Sequence, residues 1–183
     1  MEKTIAHLDL DTFFVSCERL QNSKLNGIPV IIGGGDRGVV ASCSYEARYF
    51  GVRSAMPIRM ALKLCPEAKV IKGDHEQYSK LSNEVTEIIQ EKVPLVEKAS
   101  IDEFYLDLTG MDRFFGCYQW TTEVAESIKK NTGLPISFAV SANKTVAKIG
   151  TGEAKPLGRI EIPNREIQPF LNAIPSRQAT FKP

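Results

Sequence analysis

The sequence has no long apolar run, no closely spaced pair of cysteines and few histidines. No apolar stretch approaches the roughly eighteen residues that a membrane-spanning helix needs, and the first residues show no signal-peptide pattern. The four cysteines are widely spread and form no CxxC pair, which predicts reduced, mostly buried thiols in a cytoplasmic protein. The two histidines, His7 and His75, are too isolated to indicate a zinc site.

An excess of charge of one sign is also absent. The formal net charge is +1, with 25% charged and 43% hydrophobic residues, as in an ordinary globular protein of one domain or two small ones. This balance neither requires nor excludes a nucleic-acid partner. It argues against strong DNA binding by this chain alone, because contacts to phosphates dominate such affinity.

The apolar periodicity predicts the α+β class. A strand, a long amphipathic helix, a strand hairpin, a second helix and a further strand follow in the order of a ferredoxin-like βαββαβ sheet. We place these elements at 4–10, 75–92, 95–108, 118–130 and 136–140. The segment between about Phe14 and His75 interrupts this order and predicts a smaller inserted α/β unit.

Shorter elements complete the prediction. Asp11 is expected to cap a helix over 12–22, and Asp74 with Gln77 resembles a capping box at the start of the long helix. Further helices and strands are expected at 28–32, 39–43, 44–50, 57–65, 70–71, 144–154 and 158–162, with a short helix whose first turn contains Pro169. Gly33-Gly34-Gly35 lacks the GxxxxGK[ST] pattern and is interpreted as a hairpin turn rather than a phosphate-binding loop.

Acidic side chains stand at the ends of two apolar strands. Asp9 ends the first strand, and Asp102 and Glu103 lie at the turn of the hairpin that we expect beside it. Carboxylates next to a core need a cation for neutralisation, and oxygen ligands suit Mg²⁺. We therefore expect these three residues to bind Mg²⁺ for chemistry on phosphates. The alternative is that they are ordinary strand-end caps and a solvated turn.

Two basic positions could contribute to phosphate binding. Tyr45 and Arg48 are three residues apart and would share one helix face, where a guanidinium can bind phosphate oxygens. Lys155 stands at the expected end of a helix, where a lysine could reach a phosphate or could simply cap the helix. From the residues alone, a solvated surface helix and a capping lysine remain open.

Five motifs in this order resemble the Y-family translesion DNA polymerases, most closely their bacterial DNA polymerase IV (DinB) branch. The motifs are His7-Leu8-Asp9-Leu10-Asp11-Thr12-Phe13-Phe14, Tyr45-Glu46-Ala47-Arg48, Phe50-Gly51-Val52-Arg53-Ser54-Ala55-Met56-Pro57, Ser100-Ile101-Asp102-Glu103-Phe104-Tyr105-Leu106-Asp107, and Ser141-Ala142-Asn143-Lys144 with Ala154-Lys155-Pro156-Leu157-Gly158. The resemblance extends over about residues 4–163. It implies a nucleotidyltransferase, a DNA-directed DNA polymerase.

The resemblance also implies roles for individual positions. Asp9, Asp102, Glu103 and the Leu10 carbonyl match ligands of two Mg²⁺ ions, and Phe14 matches the steric gate that excludes ribonucleotides. The groups that match the binding site of the incoming nucleotide are the backbone amides of Thr12 and Phe13 and the side chains of Ser42, Tyr45, Arg48 and Lys155.

In domain terms, the resemblance implies a palm, small fingers and the start of a thumb. The expected ranges are 1–13 and 76–163 for the palm, 14–75 for the fingers and 164–183 for the thumb. The implied partners are primer-template DNA and dNTP, with no membrane and a monomeric state. A sliding clamp would bind the full-length parent through a segment that this chain does not contain. We expect this fragment alone to be weakly active or inactive.

Two other functions remain open from the sequence. Nucleotide cyclases can share the βαββαβ core and the metal-binding carboxylates, although the Tyr45-Glu46-Ala47-Arg48 insertion and Lys155-Pro156 disfavour that class. A binding or regulatory module could keep the fold without the activity, although the intact Asp9, Asp102 and Glu103 argue against it.

Overall fold

The chain folds into two units. The computed structural model describes residues 3–35, 37–111 and 116–175. One unit, here called the sheet unit, is built from the residues up to Asp11 and from Ser82 onward; the other, the inserted unit, comprises Thr12–Leu81. The division thus lies between residues 11 and 12 and between 81 and 82, rather than at the expected 13/14 and 75/76. The segment 176–183, expected to belong to a thumb, lies outside the described residues.

The expected helices and strands are present, with bounds that differ by a few residues. In chain order they are β1 (Ile5–Leu10), α1 (Phe13–Gln21), β2 (Val30–Gly33), β3 (Val40–Cys43), α2 (Tyr45–Tyr49), α3 (Ile58–Leu64), β4 (Lys69–Ile71), α4 (His75–Lys92), β5 (Val96–Lys98), β6 (Glu103–Asp107), α5 (Cys117–Thr132), β7 (Ile136–Ser141), α6 (Lys144–Ala154), β8 (Arg159–Ile162) and α7 (Ile167–Ala173). Within the described ranges, no helix has both the length and the apolar character needed to cross a membrane.

The sheet unit has five strands in the order β5-β6-β1-β7-β8. β1 pairs antiparallel with β6 on one side and with β7 on the other, and β5 pairs antiparallel with β6. This is the ferredoxin-like βαββαβ arrangement expected from the sequence, with β1 in the centre. β8 extends it as an edge strand parallel to β7, and α6 forms the connection between these two strands.

Helices cover both faces of this sheet, because α6 lies on the face opposite α5. Phe138 and Ala139 are neighbours on β7 and therefore point to opposite faces. The Phe138 ring contacts Tyr118 of α5 at a centroid distance of 5.5 Å. On the other face, α6 runs so close to β7 that a Cβ added at Gly150 would lie 2.9 Å from Ala139 Cβ. A glycine at this position thus permits the close packing.

The core of the sheet unit lies on the face that carries Phe138. The strands contribute fully buried side chains at Leu8, Phe104, Leu106 and Phe138. The helices contribute Val85, Ile89, Val124 and Ile128, which are also fully buried. Side chains buried this deeply stabilise the fold by roughly 1.5–3 kcal/mol each, so this layer holds the β1–β6 pair in place.

The inserted unit has its own three-stranded sheet, β3-β2-β4, and its own core. β2 and β3 form the expected antiparallel hairpin, and β4 pairs parallel to β2. Cys43 and Cys65 belong to this core, together with Ile31, Val40 and Ile58. All four cysteines are buried free thiols, as expected.

Only one of the two predicted helix caps is present in the structure. The Asp74 carboxylate accepts a hydrogen bond from the Gln77 backbone N–H (3.1 Å), so the capping of α4 is confirmed on that side. The prediction that Asp11 caps α1 is wrong. The cap position of α1 is Thr12, in the left-handed conformation (φ 42°), and the Asp11 carboxylate instead accepts from Ser137 Oγ at 2.9 Å. The Asp11 carboxylate thus has a buried partner on β7.

Candidate metal centre

A polar stripe along α6, continued by the cap residue Lys155 just after the helix, faces polar and charged side chains of the sheet. Its four members follow one another at intervals of four, three and four residues, which places them on one side of the helix. The contacts are Lys144 Nζ to Glu97 Oε2 (2.5 Å), Lys148 Nζ to Glu103 Oε2 (2.7 Å), Thr151 Oγ1 to His7 Nδ1 (2.9 Å) and Lys155 Nζ to Asp9 Oδ1 (2.5 Å). We call these four contacts the α6 ladder.

Two of the expected metal ligands are directly opposite each other. Asp9 on β1 is the register partner of Glu103 on β6, and the side chains of paired residues share one face of the sheet. The Leu10 backbone N–H donates to the Asp102 carbonyl at 3.0 Å, so the chain segment with Asp102 runs beside the end of β1. The structure therefore brings the two acidic stretches together, as the sequence predicted.

Asp102 lies in the turn before β6 and is held by Ser100. Ser100 Oγ donates to Asp102 Oδ1 at 2.6 Å and accepts from the Glu103 backbone N–H at 3.1 Å. Among the residues that the structure describes, the group of potential metal ligands within 4.8 Å of one another consists of His7, Asp9 and Glu103. Asp102 is not part of that group, although its charge contributes to raising the pKa of Asp9.

The pKa values of the two paired carboxyls move in opposite directions. Burial raises the pKa of Asp9 to about 6, against the opposing effect of Lys155. Beside Glu103, the His7 imidazole and the Lys148 ammonium group lower the pKa of the carboxyl to about 2, against its partial burial. Lys155 thus only partly compensates the burial of the Asp9 charge, and a further cation close to Asp9 would be stabilised.

This donor set fits a divalent cation. Two carboxylates lie opposite each other, a third lies at the adjacent turn, and Asp9 carries a charge that its lysine only partly compensates. Hard oxygen donors of this kind suit Mg²⁺. Lys148 and Lys155 donate hydrogen bonds to carboxylate oxygens that an ion would use as ligands. Both ammonium groups would therefore have to move away when an ion binds.

Asp11 holds the segment that carries Lys155. Its buried carboxylate accepts from the Leu157 backbone N–H at 2.7 Å and from Ser137 Oγ, which itself accepts from the Gly158 N–H at 3.3 Å. Lys155 Nζ also lies 3.9 Å from Asp11 Oδ1. Asp11 therefore restrains the chain just after α6 and is placed to orient Lys155 rather than to cap a helix.

Tyr45 and Arg48 share one side of α2 in the inserted unit, as their spacing predicted. The Arg48 guanidinium lies over the Tyr45 ring at 5.1 Å from its centroid. Buried Ser44 caps the helix by accepting from the Ala47 N–H at 3.2 Å, and its hydroxyl also accepts from the Val30 N–H at 2.9 Å. This double anchoring fixes α2 to the sheet of the inserted unit. Ser42 is half-buried on β3.

Phe14 is packed in an aromatic group of the inserted unit. Its ring stacks on Tyr78 with centroids 4.5 Å apart and contacts His75 edge-on at 5.7 Å. The Tyr78 hydroxyl donates to Glu18 Oε1 at 2.6 Å, and this hydrogen bond restrains the Tyr78 ring on which Phe14 stacks. Phe13 is fully buried, whereas Phe14 is only partly so. Of the two rings, Phe14 is therefore the one with a surface left for a ligand.

Four polar residues near the carboxylates were not predicted to have a role at the site: His7, Ser100, Lys148 and Thr151. Lys148 and Thr151 could have been found from the spacing of the α6 ladder, which is regular in the sequence. Ser100 lies two residues before Asp102, in a position typical of a side chain that caps a turn. His7 alternates with Asp9 along β1, and that alternation already predicts a shared face.

Comparison with known proteins gives consistent matches. The family model described as impB/mucB/samB matches residues 8–152. DNA polymerase IV of Treponema denticola is 42% identical over 176 residues, which cover 95% of this chain and 45% of that protein. DNA polymerase IV of Exiguobacterium sibiricum is 42% identical over 175 residues, covering 94% of this chain and 49% of that protein. The chain spans about half the length of these curated relatives.

Solved structures show the same fold. DinB from Sulfolobus solfataricus superposes with a TM-score of 0.90 at 30% identity, over 96% of this chain and 52% of that one. An insertion ternary complex of Dbh DNA polymerase superposes with a TM-score of 0.86 at 29% identity, over 96% of this chain and 53% of that one.

The raised pKa of Asp9 predicts a pH-dependent gain in stability for Asp9→Asn in the presence of a chelator. A folded-state pKa of about 6 against 3.8 means that the folded chain binds this proton more tightly, and the associated stability is lost as pH rises through 6. We expect Asp9→Asn to raise the free energy of unfolding by about 2–3 kcal/mol at pH 8 and to have little effect at pH 4. Urea unfolding followed by the fluorescence of Trp120 measures this.

Asp107→Asn is the matched control on β6. Hydrogen bonding to Thr109 lowers the pKa of Asp107, so removing that charge is expected to decrease stability at pH 8. A loss of stability in Asp9→Asn at pH 8 would contradict the electrostatic account of the site.

Proposed function

The chain belongs to the impB/mucB/samB family, and on that premise we propose that it forms the catalytic part of a translesion DNA polymerase. The reaction is transfer of a deoxynucleotide to a primer 3′-hydroxyl with release of pyrophosphate. The observation that carries this proposal is the pairing of Asp9 with Glu103 at strand ends, with Asp102 at the adjoining turn. The names of the relatives support it, although those proteins are about twice as long.

The proposed cofactor is a pair of Mg²⁺ ions. The side chains of Asp9, Asp102 and Glu103 and the Leu10 carbonyl would supply the oxygen ligands. Bound divalent cations neutralise charge that develops on the phosphates and favour the ionised form of an attacking hydroxyl. The chain contributes a preorganised set of carboxylates, because β1, β6 and Ser100 hold them before any ligand arrives.

We also propose that Lys155 exchanges its present partner, Asp9, for a phosphate oxygen. In the structure its ammonium group neutralises Asp9. A divalent cation at Asp9 would take over that neutralisation, and Lys155 would then be available to a phosphate oxygen. Asp11 keeps the backbone after α6 in place during this exchange through its hydrogen bond from the Leu157 N–H.

The inserted unit supplies the other proposed nucleotide-binding groups. They are the backbone amides of Thr12 and Phe13 and the side chains of Ser42, Tyr45 and Arg48. Arg48 can bind phosphate oxygens through two N–H groups at once, and its stacking over Tyr45 limits its freedom before binding. Positioning of this kind is the main contribution that a protein makes to phosphoryl transfer.

The remaining assignments concern partners and domains. We propose primer-template DNA and dNTP as substrates, a monomeric state and a cytoplasmic location. The sheet unit would correspond to the palm, the inserted unit to the fingers and residues from 164 onward to the start of a thumb. Contact with a sliding clamp is proposed only for a longer parent protein.

Primer extension tests the proposed function directly. The chain is assayed alone and as a fusion to the C-terminal half of the Treponema denticola relative, each with Mg²⁺ and dNTPs. We expect extension by the fusion and little or none by the chain alone, because DNA affinity depends on phosphate contacts distributed over a larger protein. Asp102→Asn in the fusion should lower the rate at least about a hundredfold.

A folded fusion that does not extend primers, or one that keeps its rate with Asp102→Asn, would contradict the proposal. Formation of a cyclic product from a single nucleoside triphosphate without DNA would instead identify a cyclase.

Phe14 is proposed as the steric gate against ribonucleotides. Phe14→Ala in the fusion removes the ring that stacks on Tyr78, and we expect it to raise incorporation of rNTP relative to dNTP by about ten- to a hundredfold. Single-nucleotide incorporation rates give this ratio. Tyr49→Ala deletes an aromatic ring that is 89% exposed in the same unit and should leave the ratio unchanged. Equal ratios in wild type and Phe14→Ala would remove Phe14 from this role.

A further inference from the structure

His7 has a buried ring nitrogen that the proposed polymerase chemistry does not use. The residue is 1% exposed, and its Nε2 atom has no hydrogen-bond partner in the part of the chain that the structure describes. Nε2 lies 4.0 Å from Glu103 Oε2, too far for a hydrogen bond. A buried polar atom without a partner is costly and therefore indicates a missing ligand or a charge change.

The hydrogen bonds around Thr151 determine which nitrogen of neutral His7 carries the proton. Thr151 Oγ1 lies 3.0 Å from the carbonyl oxygens of both His7 and Ala147, and its single proton is donated to these acceptors. The hydroxyl oxygen must therefore accept from His7 Nδ1, 2.9 Å away. Neutral His7 is then protonated on Nδ1, and Nε2 presents a lone pair to the carboxylates.

We propose that His7 Nε2, with one carboxylate oxygen each from Asp9 and Glu103, binds a first-row transition-metal ion such as Zn²⁺. One ring nitrogen of His7 and one carboxylate oxygen each of Asp9 and Glu103 lie within 4.8 Å of one another, so small side-chain movements would bring them to a single ion. A mixed nitrogen and oxygen set favours a transition metal, whereas Mg²⁺ prefers oxygen ligands. Metal-binding histidines typically donate their other ring N–H to an orienting partner, and Thr151 is that partner here.

This site differs in composition from the all-oxygen Mg²⁺ site. It gains His7 and does not include Asp102, whose carboxylate is held by Ser100. The two lysines that now occupy the carboxylates can yield, because the side chain of Lys148 is 50% exposed and that of Lys155 is 23% exposed. Both lysines compete with the ion.

The consequence for the reaction rests on the proposed function. A transition-metal ion at this position takes Asp9 and Glu103 away from Mg²⁺, so it is expected to inhibit nucleotide transfer. The binding itself does not depend on polymerase activity. Zn²⁺ binding is measured on the full chain without DNA or nucleotide. A fusion protein without polymerase activity would therefore not contradict the proposed Zn²⁺ site.

Isothermal titration of Zn²⁺ and Mg²⁺ into wild type and His7→Asn tests the site. The asparagine amide can still donate to Thr151, as Nδ1 does, but has no counterpart of Nε2. We expect the Zn²⁺ affinity to fall at least about tenfold and the Mg²⁺ affinity to change much less. Even the loss of a residue that only orients a metal ligand can lower metal affinity by about tenfold, and His7 is proposed as a ligand itself. His75→Asn, which removes the other histidine, should leave the Zn²⁺ affinity unchanged.

The ring ¹⁵N resonances of wild-type His7 give a second, independent result. With saturating Zn²⁺ we expect the Nε2 resonance to shift while Nδ1 keeps its proton. Three outcomes overturn the proposal: an unchanged Zn²⁺ affinity in His7→Asn, an equal loss of Mg²⁺ affinity, or an Nε2 atom that carries a proton with Zn²⁺ present. If His7→Asn does not fold by circular dichroism, the wild-type ring resonances decide.

Discussion

Asp9 and Glu103 place two carboxylates side by side on neighbouring strands, and the sheet unit depends on cations that compensate them. Uncompensated charges at such partly buried positions would cost several kcal/mol. Lys148 on helix α6 and Lys155 just after it provide the compensation, and Gly150 allows the helix to lie close enough to β7 for the α6 ladder to form.

The compensation is incomplete, and this links stability to function. The pKa of Asp9 stays near 6 although Lys155 is in contact, so the ionised carboxylate reduces the stability of the fold at neutral pH. In the proposed function, a divalent cation would relieve that cost and leave the lysine available to a phosphate. Functional sites commonly retain local strain that the remaining fold supports. Here that support comes from the buried layer around Phe104 and Phe138.

Sequence patterns predicted the sheet well, because the alternation in β1 and in the hairpin is regular and the two acidic stretches end adjacent strands. Interactions between residues that are distant in the sequence were harder to predict. Asp11 carries the local pattern of a helix cap, yet Ser137, 126 positions away, binds its carboxylate instead. A single histidine forms no pattern, so the orientation of His7 by Thr151 required the structure. The stripe on α6 is visible in the sequence, but its partners on the sheet are not.

The central claim is that the ends of β1 and β6 form a divalent metal site. Paramagnetic broadening by substoichiometric Mn²⁺ in the ¹⁵N-labelled chain locates the bound ion most directly. The account predicts that amide resonances of Asp9, Asp102 and Glu103 broaden first and that broadening weakens along β1 toward Ile5. Broadening centred on the exposed acidic residues of α4, Glu84, Glu87 and Glu91, with the β1–β6 resonances unaffected, would contradict it.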